Sequence, residues 1–362
     1  MSSEDHISSL SKEGYRLLRE RRVEEAEERF SRILAEEPGN SYALVGMGDA
    51  ARKRRLSGRA IDYYRRCLAD DPENTFALFG LADAHRSQRN YRDAVEIWER
   101  YLEHDNTNVT VLTRVADGYR KLHNKGRSAE LYERVLEIEP DNPCALIGRG
   151  HLHYDHNEYE QALKHWKRMM QLSGVRVDIR VLTSIGNCYR KLKQFEEGVP
   201  FFEQALKMEE GNFYALFGLA DCYRGLNEPV RSLEYWQKIL EHDPDNRVIL
   251  TRAGDTHRTL GELDAAVGCY ERALSQADDV FARIGLAIVQ RLRGEPYEAI
   301  SHLEELAGQN PRNSRIAVEL AQTYEQLEDH ERAATALERF LEEEPGNAYA
   351  TELLDRYRGS SS

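Results

Sequence analysis

The chain is poor in the features that mark membrane, secreted and metal-knuckle proteins. No apolar stretch in its 362 residues approaches the roughly 20 residues of a bilayer-spanning helix. Met1 to Leu10 lacks the basic and then apolar pattern of a secretory leader, so the cytoplasm is the expected compartment. Only five cysteines occur, Cys67, Cys144, Cys188, Cys222 and Cys269. Their odd count and wide spacing argue against a disulfide framework or a zinc knuckle, and small buried thiols inside helices are expected. Positive charge is also short. With 50 Lys and Arg against 63 Asp and Glu, the net charge is −13, which argues against a nucleic-acid binder or a ligand of anionic membranes. A partner of basic or mixed-charge character would be attracted instead.

What the chain has in abundance is repetition. Units of about 34 residues begin at Ile7, Ser41, Thr75, Val109, Pro143, Ile179, Phe213, Arg247, Val280 and Ser314. Position 8 of each unit is Gly or Ala, from Gly14 and Gly48 to Ala321, and position 20 is Ala, Gly or Ser, from Ala26 to Ala333. Four residues later stands a large apolar side chain: Phe30, Tyr64, Trp98, Tyr132, Trp166, Phe202, Trp236, Tyr270, Leu303 and Leu337. Apolar residues fall at helical spacing in two stretches per unit, as in Ala77, Leu78, Leu81 and then Ala94, Val95, Trp98, with a polar turn between. Each unit is thus predicted to be a helical hairpin. Helices cross closely only where a side chain is small, and a ring fills the space beside the crossing. Prolines such as Pro38, Pro72 and Pro244 recur at position 32, where they end the second helix.

These columns resemble the tetratricopeptide repeat family, a 34-residue helix-turn-helix repeat with small and aromatic signature positions. The resemblance covers residues 7–347 and implies an all-α, right-handed superhelical solenoid of ten repeats. Residues 1–6 are expected to form a tail, 348–358 a capping helix with Tyr349, Leu353, Leu354 and Tyr357 inward, and 359–362 a disordered tail. Ordering a 34-residue hairpin costs roughly 50 kcal/mol, at about 1.5 kcal/mol per residue, which one helical pair cannot recover, so the units must stack. Departures are local: the fifth unit is longer around Gly174 to Asp178, the eighth is one residue shorter, and Arg283 and Ala317 replace the usual Leu of position 4. A second period of two units overlies the first, and Leu78 to Asp83 repeats unchanged as Leu216 to Asp221.

The resemblance also implies that first helices line a concave groove through positions 2, 5, 9, 12 and 13. Position 9 carries Asp49, Asp83, Asp117, Asn187, Asp221 and Asp255, and position 12 carries Arg52, Arg86, Arg120, Arg190, Arg224 and Arg258. Asp and Arg three apart share a helix face. They form either a structural ladder of ion pairs or a hydrogen-bonding track for a bound segment, since an Arg fork can serve both. Beside them stand Tyr42, Phe76 and Tyr214 at position 2 and Phe79 and Phe217 at position 5, candidate anchors for a partner. Glycines at position 6, such as Gly80 and Gly218, leave room for a ligand backbone or a neighbouring helix. Family members that clamp a chaperone C-terminus use Lys and Asn where this chain has Val45, Phe79, Asp49 and Asp83, so that chemistry is not expected.

His151-Leu152-His153-Tyr154-Asp155-His156 matches the HxHxDH metal run of metallo-β-lactamase-like hydrolases. Placed on the first helix of the fifth unit, His151 and Asp155 share a face while His153 points away, so a metal-dependent hydrolase is the remote alternative, beside an incidental surface metal site through His151, Asp155 and His156. Arg52-Lys53-Arg54-Arg55 reads as a solvated helix end whose cations favour the negative pole of the dipole. The function expected is a non-enzymatic scaffold or adaptor for a protein or peptide, without cofactor or metal. Self-association into a homo-oligomer is the second reading.

Overall fold

The structure is a computed structural model and describes residues 3–172 and 177–359. Among these residues every regular element is an α-helix, and the helices follow one another as tandem hairpins of an α-solenoid. The chain divides into two compact units between Val177 and Asp178. The first holds α1 (Ser3–Arg19), α2 (Val23–Glu36), α3 (Ser41–Lys53), α4 (Ser57–Asp70), α5 (Thr75–Ser87), α6 (Tyr91–His104), α7 (Val109–Lys121), α8 (Lys125–Ile138), α9 (Pro143–Asp155) and α10 (Tyr159–Met170). The second holds α11 (Ile179–Lys191), α12 (Phe195–Met208), α13 (Phe213–Gly225), α14 (Pro229–His242), α15 (Arg247–Thr259), α16 (Leu263–Gln276), α17 (Val280–Leu292), α18 (Pro296–Gln309), α19 (Ser314–Gln326), α20 (His330–Glu343) and α21 (Ala348–Gly359).

Two boundaries differ from expectation: α1 begins at Ser3, within the expected tail, and α21 runs on to Gly359. In α21, Leu353, Leu354 and Tyr357 are buried as expected, but Tyr349 is 57% exposed because Ala350 takes the inward position beside it. Residues 173–176 of the lengthened fifth turn, and 360–362 of the expected tail, lie outside the described residues.

Each aromatic of position 24 is fully buried, and Phe30, Tyr64, Phe202 and Tyr270 meet glycines on both sides. A β-carbon at Gly48, in the same hairpin, or at Gly80, in the next, would overlap the Tyr64 ring, and Phe202 stands likewise between Gly186 and Gly218. The position-6 glycines therefore make room for the preceding hairpin's ring. Where the next hairpin of the same compact unit has Arg114 or Arg252 at that position, the ring is instead Trp98 or Trp236. From the second hairpin on, glycine and non-glycine interfaces alternate within each compact unit, which gives the two-unit period a packing cause; the first interface, Phe30 against Gly46, is also of the glycine kind.

The joints are equally regular. Asn40, Asn74, Asn108, Asn142, Asn212 and Asn246 each cap the following first helix by accepting a backbone N–H three residues on. Such a cap contributes about 1 kcal/mol. Inside each hairpin the turn passes through one left-handed residue at position 15, which is Gly only at Gly261 and Gly294 and is otherwise Arg21, Arg55, Arg89, His123, Asn157, Lys193, Asn227 or Glu328. Across hairpins, Arg66, Arg100 and Arg272 donate to the carbonyls of Pro38, Pro72 and Pro244, and Arg134 to that of Asn106.

First helices of neighbouring hairpins also touch one another, α1 with α3, α3 with α5 and α7 with α9 in one unit, and α11 with α13, α15 with α17 and α17 with α19 in the other. All the sizeable contacts between non-consecutive helices are of this kind. First helices therefore line the tighter, inner side of each stack.

Candidate protein-interaction face

The Asp and Arg columns form a ladder on that inner side, and it runs between hairpins as well as within them. Arg52 donates to Asp49 on its own helix at 3.1 Å and to Asp83 on the next at 2.6 Å. Arg190 repeats the second step onto Asp221 at 2.6 Å, and Arg224 closes on the same carboxylate at 2.7 Å. Asp83 is also paired with Arg114, and Arg86 lies 3.6 Å away, so three guanidinium groups surround one buried carboxylate. Burial pushes the Asp221 carboxyl up, but Arg224 and Arg190 more than cancel this and hold it below the usual carboxylate range.

What position 9 does depends on the ring at position 24. Where that ring is Tyr, its hydroxyl donates to the aspartate: Tyr64 to Asp49 at 2.7 Å, Tyr132 to Asp117, and Tyr270 to Asp255 at 2.9 Å. Where it is Trp98 or Trp236, the aspartate sinks to the buried state and takes arginines instead. Where it is Phe202, which has no hydroxyl, the residue is Asn187, whose carbonyl accepts from Arg190 at 3.2 Å. Arg258 stands 3.6 Å from Asp255, and Arg120 reaches forward to Asp155 at 2.6 Å because His151 occupies position 9 of the fifth hairpin. The ladder therefore does structural duty at every rung, and only Arg86 and Arg224, each about half exposed, face solvent to a large degree.

The aromatic candidates separate by position. Phe79 and Phe217 are half-buried: Phe79 lies against Tyr101 with the Arg114 guanidinium 4.9 Å above it, and Phe217 packs on Trp236 at 5.2 Å. Tyr42, Phe76 and Tyr214 stand out at 70, 75 and 67% exposure, with Phe281 and Val248 beside them in the same column. In the first unit Tyr42 and Phe76 border a groove of about 610 Å³, whose walls include Lys12, Tyr15, Val45 and Asp49. Tyr15 donates its hydroxyl to the Tyr42 carbonyl, fixing one wall.

The histidine run does not converge. His151 packs edge-on against Trp166, whereas His153 bonds Glu158 at 2.6 Å and stacks on His165. Asp155 is taken by Arg120. Burial, then the Arg120 charge, pushes His151 down to about 4, so its imidazole is neutral. Among the described residues no three His, Cys, Asp or Glu side chains are grouped to hold a metal ion. The basic run is a helix end: Arg52 belongs to the ladder, Arg54 pairs with Glu27 at 2.8 Å, and Arg55 is the left-handed turn residue. The thiols of Cys67, Cys188 and Cys222 are buried, and burial pushes Cys222 up to about 12. Cys144 corrects the expectation of buried thiols, because it occupies the exposed position 2 of α9.

Two recurrent features escaped the sequence reading. The caps form a column that was legible as Asn before most first helices, with Asp178 and Asp279 in its place before α11 and α17. The arginines that clasp the preceding Pro carbonyl carry no local signal, since their partner lies 28 residues back.

No helix among the described residues is long and apolar enough to cross a membrane. The chain matches none of the curated protein sequences. Among solved structures it is similar to that of Pseudomonas aeruginosa PilF, with 16% identity and a TM-score of 0.52 over 59% of this chain and 97% of that one. It is also similar to PilW, a widely conserved type IV pilus biogenesis factor, with 18% identity and a TM-score of 0.50 over 56% of this chain and 92% of that one. At such identities the likeness concerns the fold alone. Profiles of the tetratricopeptide repeat match residues 11–75, 77–110, 179–212, 214–246, 251–314 and 291–357. With these matches spread along most of its length, the chain belongs to the tetratricopeptide repeat family.

Proposed function

We propose that this protein is a non-enzymatic scaffold that holds a segment of another protein, extended or helical, along its first-helix faces. The observation that carries this reading is the position-2 column: Tyr42, Phe76, Tyr214 and Phe281 keep more than half of their surface in solvent, while the rings of position 24 are entirely buried. Burying a ring contributes about 1.5–3 kcal/mol. Rings left outside, on the inner side of a stack and beside arginines, have the composition of interface anchors. The groove beside Tyr42 and Phe76 offers room for side chains of a bound segment, with Lys12 and Asp49 as polar partners on its walls.

Affinity capture from the source lysate, comparing wild type with a Tyr42→Ala, Phe76→Ala, Tyr214→Ala, Phe281→Ala variant of unchanged circular dichroism, tests the reading. The expected result is a protein retained by wild type and lost from the variant. Equal recovery by both, or recovery of the chain alone with a concentration-dependent mass in light scattering, overturns it and favours self-association.

A further inference from the structure

The net charge of −13 suggests a basic or mixed-charge partner, but the charge is not spread evenly. The first helices α3, α5, α7, α9, α11, α13, α15, α17 and α19 contain seventeen Lys and Arg against eight Asp and Glu. The ten second helices, α2 to α20, contain nineteen against twenty-nine. In the second compact unit the contrast is sharpest, with ten cations against four carboxylates on first helices and six against fourteen on second helices.

All four of those first-helix carboxylates already have partners within the unit. Asp221 is held by Arg190 and Arg224; Asp255 accepts from Tyr270, with Arg258 at 3.6 Å and Arg315 at 3.7 Å. Glu319 pairs with Arg291 at 2.9 Å, and Glu325 accepts from Tyr357 at 2.9 Å. Three cations stand outward: the Arg224 side chain is 49% exposed above an Asp221 that is only 9% exposed, Arg180 is 84% exposed although Asp178 holds it at 3.0 Å, and Lys191 is exposed. At Asp221 the anion lies beneath the cations, whereas Asp255 and Glu319 are as exposed as their arginine partners and Glu325 is exposed. Between Arg180 and Arg315, the first and last cations of the position-2 column, stand the exposed Tyr214, Val248 and Phe281, with the Arg315 guanidinium 5.9 Å from the Phe281 ring.

We infer that the inner face of the second compact unit, α11 to α19, binds an acidic protein segment that also carries apolar side chains. Its carboxylates pair with Arg180, Lys191, Arg224 and Arg252, and its apolar groups pack on Tyr214, Val248 and Phe281. The inference rests on the scaffold reading above and names the chemistry of the partner. Arginine forks suit carboxylates, and the surplus of cations gives the encounter a favourable field within a screening length of about 8–10 Å.

The test is selection of a displayed random peptide library on the immobilised full chain, followed by affinity measurement with labelled synthetic copies of the selected peptides. Enrichment of Asp and Glu together with aromatic or aliphatic residues is expected. Lys191→Glu with Arg252→Glu should weaken the selected peptides about tenfold, as reversal of two interface charges does. Lys207→Glu with Lys238→Glu, which changes the net charge equally on the second helices, should leave affinity unchanged. A Lys191→Gln, Arg252→Gln pair repeats the measurement should the reversed pair fold poorly. Selected peptides without acidic excess, equal losses in both charge-reversed proteins, or displacement by oligothymidylate would overturn the acidic assignment while leaving the groove standing. No enrichment above that of a Tyr214→Ala, Phe281→Ala protein would remove the groove reading itself.

Discussion

The hairpins α5–α6 and α13–α14 are near copies, Leu78 to Asp83 in one answering to Leu216 to Asp221 in the other, yet their central aspartates have different surroundings. Asp83 is enclosed by Arg52, Arg86 and Arg114, whereas Asp221 has Arg190 and Arg224. The missing third partner is not missing from the sequence: Arg252 stands where Arg114 stands, at position 6 of the following hairpin. What differs is how the following helix presents that position. Arg114 lies across both Phe79 and Trp98 and reaches back to Asp83; beside Asp221, the cation over the equivalent Phe217 ring is Arg190, from the preceding hairpin. Identical local sequence can therefore sit in two electrostatic states, set by a neighbour some 30 residues away.

Removing the aspartates breaks the comparison most directly. Asp83→Ala should cost about 3 kcal/mol, since it leaves three guanidinium groups facing one another, and Asp221→Ala about 2 kcal/mol. Urea unfolding of the two variants checks both the size and the order, and a loss below about 0.5 kcal/mol in either would mean that the ladder is not structural there. The pH dependence follows from the lowered carboxyl of Asp221. A carboxyl whose folded pKa is depressed contributes stability above its unfolded value of about 3.9 and loses it as pH falls through the folded value. Wild type should thus lose more stability than Asp221→Asn between pH of about 5 and about 2.5; parallel curves would contradict the pairing.

A smaller effect sharpens the contrast. Arg114→Ala should destabilise by about 1 kcal/mol through the lost ion pair and ring contact, while Arg252→Ala should stay within about 0.5 kcal/mol, as a surface change does. Equal thermal shifts would show that the two arginines are equivalent after all. The smallest difference lies in the turns, where Arg89 and Asn227 both hold a left-handed backbone. Asn tolerates that conformation better than Arg, so Arg89→Gly should gain about 0.5–1 kcal/mol and Asn227→Gly less than half of that. Calorimetric midpoints of the two glycine variants decide it.

The sequence alone determined the hairpins, their number and their stacking, because small residues at positions 8 and 20 and a large one at position 24 recur at offsets that only a helix pair can use. It also placed the exposed rings of position 2 on the same helix face as the ladder, as helical spacing requires. Only the tertiary structure decided which carboxylates are buried, and that Phe79 and Phe217 are half-packed while Tyr42, Phe76 and Tyr214 are not. It likewise decided that the glycines of position 6 receive a ring from the preceding hairpin. Helical periodicity states which side chains share one helix face, but the partner of Arg52 is 31 residues away on another helix. Its distance depends on how two hairpins rotate against each other, and that is set by the volumes packed between them.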